Sequence, residues 1–231
     1  MKLRLLAVVA PAALALAAAS SASAASYTIN TVTGEHVVEP LITDFNSDSE
    51  VNGNITDLAA GYQFSQGNTT LDFTRDGGLG LWPGISAPPP ADNGVSGAFY
   101  ETVTSGGAAT LTAARPIEDF QFYMGSPDDF NQIEFTFANT SIAPVTLTGS
   151  QIWGGSPDGN GDQSQGFTVS YQFSAPVSQI TFSSSGNSFE FDKLAGGVPE
   201  PASWALMILG FGGAGAALRG RRRLVPAVAT A

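Results

Sequence analysis

Three groups of oxygen-bearing side chains sit at spacings suited to chemistry. Asp158, Asn160 and Asp162, in Asp-Gly-Asn-Gly-Asp, place oxygen ligands at every second residue of a glycine-rich loop, as the opening of a calcium loop does. The pattern then departs from an EF-hand, because Gln163 stands where the sixth-position glycine belongs and Val169 where the bidentate glutamate belongs. An irregular calcium loop and a solvated turn both fit. Asp44, Asn46, Asp48 and Glu50 repeat the alternation ahead of Asn52-Gly53-Asn54. In a strand these four would share one face and repel, so either a cation sits among them or the segment is an exposed loop. Asp128, Asp129 and Glu134 are the residue types that a glycosidase pairs as acid and base, but nothing in their spacing sets two of them across a cleft.

Other chemistries find no support. His36 is the single histidine and cysteine is absent, so thiolate sites, disulfides and a second imidazole for zinc are excluded. No Gly-x-Ser-x-Gly elbow, phosphate loop or dinucleotide fingerprint occurs. No catalytic residue is assigned, and the chain reads as a non-enzyme. Trp82, Tyr100 and Trp153 are aromatics that would stack on sugars if they stood at loop edges, or plug the core if they did not. Gly-Ser-Pro-Asp occurs at 125–128 and again at 155–158 with unlike flanks, which reads as two separate turns.

The elements that position these residues have the period of strands. Phe120, Phe122 and Met124 alternate with Gln121 and Tyr123; Ile133, Phe135 and Phe137 alternate with Glu134 and Thr136. Phe167, Val169, Tyr171 and Phe173 form a third run, Ile180 and Phe182 a fourth, and Phe189 and Phe191 against Glu190 and Asp192 a fifth. Residues 27–32, 36–42, 69–74, 98–104 and 108–113 are earlier candidates, separated by Gly, Pro, Asn, Asp and Ser. About ten short strands without intervening helices predict an all-β fold, an antiparallel β-sandwich of jelly-roll-like form. Residues 82–97, with Pro83, Pro88, Pro89 and Pro90, are expected to be a long surface loop.

The two ends differ from the middle. Lys2 and Arg4 precede an apolar run at 5–19, and Ser21-Ala22-Ser23-Ala24 supplies small residues for a signal peptidase, so residues 1–24 read as a signal peptide. Near the other end, 202–218 is a run of 17 residues without a charge. As a helix it would reach about 25 Å, just enough to span hydrocarbon. Arg219, Arg221, Arg222 and Arg223 follow and would hold that side in the cytoplasm, while Trp204 suits the opposite interface. Residues 25–198 between them carry 19 Asp and Glu against Arg75, Arg115 and Lys193, a net charge of −16. Such a domain repels nucleic acid and attracts divalent cations.

The tail carries a resemblance. Pro199-Glu200-Pro201-Ala202-Ser203-Trp204-Ala205, then the apolar run, then the arginines, resembles the PEP-CTERM sorting signal in its PEPxxWA form, occupying 199–223. The extension at 224–231 departs from tails that stop soon after the arginines. The resemblance implies that an exosortase in the inner membrane recognises the tail, cuts near the motif and passes the protein to the envelope surface. The runs FQFYMGSPDDFNQIEFTF from Phe120, GDQSQGFTVSYQF from Gly161 and NSFEFDKLA from Asn187 are also similar to ectodomains of exosortase-dependent surface proteins, which implies a β-rich surface domain and no activity. The whole therefore reads as an exported protein, in transit through the inner membrane to the cell surface or extracellular matrix, with a structural or adhesive role. Exopolysaccharide is the expected partner there. Two alternatives stay open: a carbohydrate-binding jelly roll, with or without calcium, and an exopolysaccharide hydrolase.

Overall fold

A computed structural model describes residues 24–38, 40–46, 50–51, 54–56, 58–67, 70–73, 85–95, 98–125, 127–155, 161–197, 209–213 and 219, with the backbone alone at 50–51 and 70–73. The chain forms β1 (Tyr27–Thr33), β2 (Leu41–Thr43), β3 (Glu50–Val51), β4 (Asn54–Ile55), β5 (Tyr62–Ser65) and β6 (Thr70–Phe73). Then come β7 (Phe99–Val103), β8 (Ala108–Gly125), β9 (Asn131–Phe137), β10 (Val145–Thr148), β11 (Gly166–Ser184) and β12 (Phe189–Ala195). All pairings between these strands are antiparallel.

Two long strands organise the sandwich. β8 has 18 residues and β11 has 19, and they pair with each other over both halves. The first half of β8 and the second half of β11 lie in a layer ordered β10-β9-β11-β8-β5-β4-β3. Their other halves lie in a second layer ordered β1-β11-β8-β12-β7-β6, with β2 on the end of β12. The layers meet at a corner where both strands bulge: Gln179 pairs with Thr112, Val177 with Ile117, and Gln172 with Asp119.

The corner explains which side chains face inward. In β8 the buried set runs Ala109, Leu111, Ala113, Ile117 and then steps to Phe120, Phe122, Met124. In β11 it runs Phe167, Val169, Tyr171, Phe173, Val177 and then steps to Ile180 and Phe182. An inserted residue exchanges the two faces of a strand, so each bulge keeps the apolar set inside as the chain turns from one layer to the other. Pro116 and Pro176 sit at this corner, where a missing ladder donor costs least. The Pro176 carbonyl is still satisfied, accepting from the Ala138 amide at 2.9 Å.

The core is aromatic across the interlayer space. Phe122 of the second layer meets Phe182 of the first with ring centroids 5.6 Å apart, Tyr171 meets Phe135 at 4.8 Å, and Phe191 meets Phe64 at 6.3 Å. Such edge-on ring pairs add to the stabilisation from area burial alone.

Four expectations change. The candidate strands 108–113 and 120–124 are one strand, as are 167–173 and 180–182. Among the described residues of the candidate at 36–42, those in a strand are Leu41 and Ile42 of β2; the His36 amide donates to Thr168 Oγ1 at 2.7 Å and the Val38 amide to Gln121 Oε1 at 3.2 Å, so side chains of the second layer replace a ladder. β12 does not alternate between core and solvent, because Glu190 and Asp192 are buried as well as Phe189 and Phe191. The expected surface loop is, at 85–95, a packed cover in which Ser86, Pro88, Pro89 and Asp92 are buried. The cover and the buried face of β12 are two sides of one contact.

Residues 1–24, expected to be a signal peptide, lie outside the described residues apart from Ala24. Of the apolar run 202–218 the described part, 209–213, is helical, with Leu209 71% and Phe211 75% exposed. No helix among the described residues is long and apolar enough to cross a membrane.

Candidate functional site

The outer face of the second layer holds an unusual concentration of buried polar groups. Strand register sets Asp192 opposite Tyr123 and Glu190 opposite Thr102, so these four share the face turned away from Phe122 and Phe191. Residues 85–95 lie across it, attached side chain by side chain. The Ala87 amide donates to Glu190 Oε1 at 3.1 Å, the Ala91 amide to the Tyr123 hydroxyl at 3.0 Å, and Ser86 and Tyr100 hydroxyls are 3.1 Å apart. Ser188 donates to the Ile85 carbonyl at 2.7 Å and also lies against Glu190 Oε1. Within the cover, Asp92 and Asn93 amides both donate to the Pro89 carbonyl, forming the turn that places Asp92 over the sheet. Gly125 allows the close approach: a Cβ there would lie 2.8 Å from Pro89 Cα.

Three carboxyl groups are enclosed there. Asp192 is 0% exposed, Glu190 2% and Asp92 5%. One oxygen of each, Asp192 Oδ2, Glu190 Oε2 and Asp92 Oδ2, has no hydrogen-bond partner among the described residues. Burial removes the water that would stabilise a charge, and it pushes Glu190 up to about 7 and Asp92 up to about 6. Burial also raises Asp192 well above the usual carboxylate range, with the nearby Asp92 charge adding to the rise. The Tyr123 phenol is pushed up to about 12, chiefly by burial.

Among the described residues, Lys193 is the cation that acts on Asp92 and Asp192. It occupies the left-handed region at φ 50, at the bulge between Asp192 and Ala195, and its Nζ reaches Glu35 Oε2 at 2.5 Å. Burial works to lower the Lys193 pKa, but the bond to Glu35 and the charges of Asp192 and Asp92 outweigh it, so the ammonium is held. Among the described residues, this one ammonium, already bonded to Glu35, is the counter-charge available to Asp92, Asp192 and Glu190.

Most of the residues singled out from sequence lie elsewhere, though Asp128 and Asp44 raise the carboxyls of this group and Tyr100 bonds its cover. Asp162 is exposed and closes a local turn, its Oδ1 accepting from the Ser164 amide at 2.9 Å and hydroxyl at 2.6 Å and its Oδ2 from Gln165 at 3.1 Å. Those bonds, the Ser164 hydroxyl first, hold its carboxyl below the ordinary range. Asp158 and Asn160 lie outside the described residues. Asp44 accepts from the Asn46 amide at 3.1 Å, and Asn46 Oδ1 accepts from the Phe99 amide at 2.9 Å, which ties this loop to β7; Asp48 is not among the described residues. Glu134 accepts from Thr146 on the neighbouring strand, Asp129 is exposed, and Asp128 is buried close enough to Glu190 to raise its pKa. No group of three His, Asp or Glu among the described residues is arranged to hold a metal ion.

Tyr100 and Trp153 are buried, Trp153 stacked on Phe167 at 6.1 Å, so neither offers a ring face to a sugar. Trp82 lies outside the described residues, with Pro199, Glu200, Pro201, Trp204, Ala205, Arg221, Arg222 and Arg223; Arg219 is helical and exposed. Sequence reasoning missed Asp92, Glu190 and Asp192. The proline run before Asp92 was a signal of a fixed loop, but strand alternation alone assigns Glu190 and Asp192 to solvent.

The chain is thus an antiparallel β-sandwich followed, directly after its last strand, by a tail of distinct composition. That tail is identified: the PEP-CTERM protein-sorting motif matches residues 197–223. No curated protein matches the chain. Among solved structures, a β-1,3-glucan binding CBM6 from Bacillus halodurans is similar at a TM-score of 0.32 and 10% identity, over 58% of this chain and 89% of that one. The enzymatically active domain of tailspike protein 4 from bacteriophage CBA120 is similar at a TM-score of 0.27 and 17% identity, over 59% of this chain. That match spans only 19% of the tailspike chain. Likenesses this distant bear on no ligand.

Proposed function

We propose that this is a non-enzymatic, exported surface protein whose acidic, jelly-roll-like sandwich serves as a structural or adhesive element of the cell surface or extracellular matrix. The observation that carries it is the sorting motif at 197–223, which begins two residues after β12 ends at Ala195. Sorting by an exosortase follows from the motif. In this reading the signal peptide at 1–24 delivers the domain across the inner membrane, the span 202–218 holds it there, and the arginines keep the end inside until the tail is cut. The junction is fixed in space: the Gly197 amide donates to Asp119 Oδ1 at 2.7 Å and Tyr62 donates to the Gly196 carbonyl at 3.3 Å. An exosortase therefore meets a tail that leaves a packed domain at one defined point.

Cell fractionation with mass spectrometry of the mature C-terminus tests this. Mature surface protein should lack residues 202–231, and Glu200→Ala should leave uncut precursor in the inner membrane. Full-length protein with its arginine cluster intact on the envelope surface would replace sorting by simple anchoring. Calcium at Asp158, Asn160 and Asp162 is a separate proposal, supported by ligand type and spacing alone.

A further inference from the structure

We propose that residues 85–95 are a pH-gated strap over the outer face of the second layer, closed while the carboxyls of Asp92, Asp192 and Glu190 carry protons and released when they ionise. The geometry carries this. The strap is held by bonds to Tyr100, Tyr123, Ser188 and Glu190 side chains, without a strand ladder of its own. It covers three buried carboxyls, each with one enclosed oxygen that has no hydrogen-bond partner among the described residues. One of them, Asp92, belongs to the strap itself.

Among the described residues, the groups acting on these carboxyls come from several elements. β12 contributes Glu190, Asp192 and Lys193 and β8 contributes Tyr123, while the Tyr100 hydroxyl of β7 bonds Ser86 of the strap. Glu35 acts from the segment after β1, Asp44 from that after β2, and Asp128 from the turn after β8. Apart from Lys193, every one of these is acidic or phenolic. Among the described residues, full ionisation would therefore enclose several like charges against one ammonium that Glu35 already occupies. Admitting water is the available relief. The strap gives way before the sheet, because β12 is bonded on both sides by β7 and β8.

The sign is fixed by the direction of the shifts. Burial raises all three carboxyls in the closed state, so closure is fully favoured below their ordinary range and is lost as pH rises through about 6 and about 7, where Asp92 and Glu190 titrate. A carboxyl moved from about 4 to about 6 changes an opening equilibrium about tenfold between about pH 5 and about pH 8. Opening uncovers Tyr100, Tyr123 and Ser188 beside the carboxylates.

Hydrogen exchange on the full chain in detergent, corrected for the intrinsic rate at each pH, tests the gate. Peptides spanning 86–92 should exchange at least about tenfold faster at about pH 8 than at about pH 5, while peptides of β9 stay unchanged. The combined variant Asp92→Asn, Asp192→Asn and Glu190→Gln should remove that difference. Equal corrected rates at 86–92, acceleration spread evenly over the sandwich, or a pH response that survives in the variant would each overturn the gate. Should the triple variant not fold, Glu190→Gln alone must shrink the wild-type difference, or the gate is refuted.

Discussion

Replacing Phe122 measures how far the aromatic core holds the two layers together. Its ring is fully buried and has five ring neighbours: Phe120, Tyr171, Phe182, Phe189 and Phe191, at centroid distances from 5.6 to 6.4 Å. Two of them, Phe189 and Phe191, come from β12, and Phe182 comes from the opposite layer. Truncation to alanine removes about 150 Å² or more of buried apolar surface, about 4 kcal/mol at 25 cal/mol per Å², and leaves a cavity that rigid neighbouring rings fill poorly. We expect Phe122→Ala to cost about 4 kcal/mol and Phe122→Leu about half that, against a total of about 5–15 kcal/mol for a domain. With a urea slope of about 2 kcal/mol per M, the alanine variant should lower the urea midpoint by about 2 M. Glu118→Ala, an exposed change on the same strand, should stay within about 0.5 kcal/mol. A loss under about 1.5 kcal/mol for Phe122→Ala at unchanged slope would show that the rings do not couple the layers.

Other substitutions probe separate features. Glu190→Gln keeps the acceptor for Ala87 and removes the charge; since burial raises Glu190 from 4.5 to about 7, it should stabilise by up to about 3 kcal/mol above about pH 8 and by nothing near about pH 4. Urea midpoints at both pH values check this, and a gain at acid pH would reverse the assigned sign. Tyr171→Phe deletes the buried hydroxyl that donates to the Ile152 carbonyl at 2.5 Å and should cost about 1–3 kcal/mol. A neutral result in thermal melts would mean that the carbonyl finds another donor. Millimolar calcium should raise the thermal midpoint more than sodium chloride of equal ionic strength, saturably, with loss of the effect in Asp162→Ala. Equal midpoints would strike the ion from the protein's description.

The alternation of Phe120, Phe122 and Met124, and of Ile133, Phe135 and Phe137, made the core face of two strands legible, because burial on one side of a sheet imposes a period of two. The tail was legible for a different reason: a sorting motif is read as contiguous sequence and needs no tertiary partner. The continuity of β8 and β11 was not legible. Pro116 and Pro176 terminate strands by local rules, and only their meeting at one corner, with a bulge in each, lets both strands continue. Nor was the carboxyl face. Glu190 and Asp192 occupy positions that the local pattern gives to water, and what excludes water is a cover from about a hundred residues earlier, a separation the Ala87 to Glu190 bond spans. Asp92 follows three prolines that set the path of that cover.

The place where the tail leaves the domain decides how a pull on its C-terminus would be borne. β12 is the last strand before the sorting motif, and it is paired with β8 along one edge and with β7 and β2 along the other. A pull on the C-terminus would run along β12, so its rungs on both edges would be strained in shear and share the tension. A terminal strand at the rim would instead lose its rungs one after another, as a zipper does. Held by its C-terminus in flowing medium, the sandwich would transmit drag through its interior, with the ring contacts of Phe189 and Phe191 gripping the strand under tension.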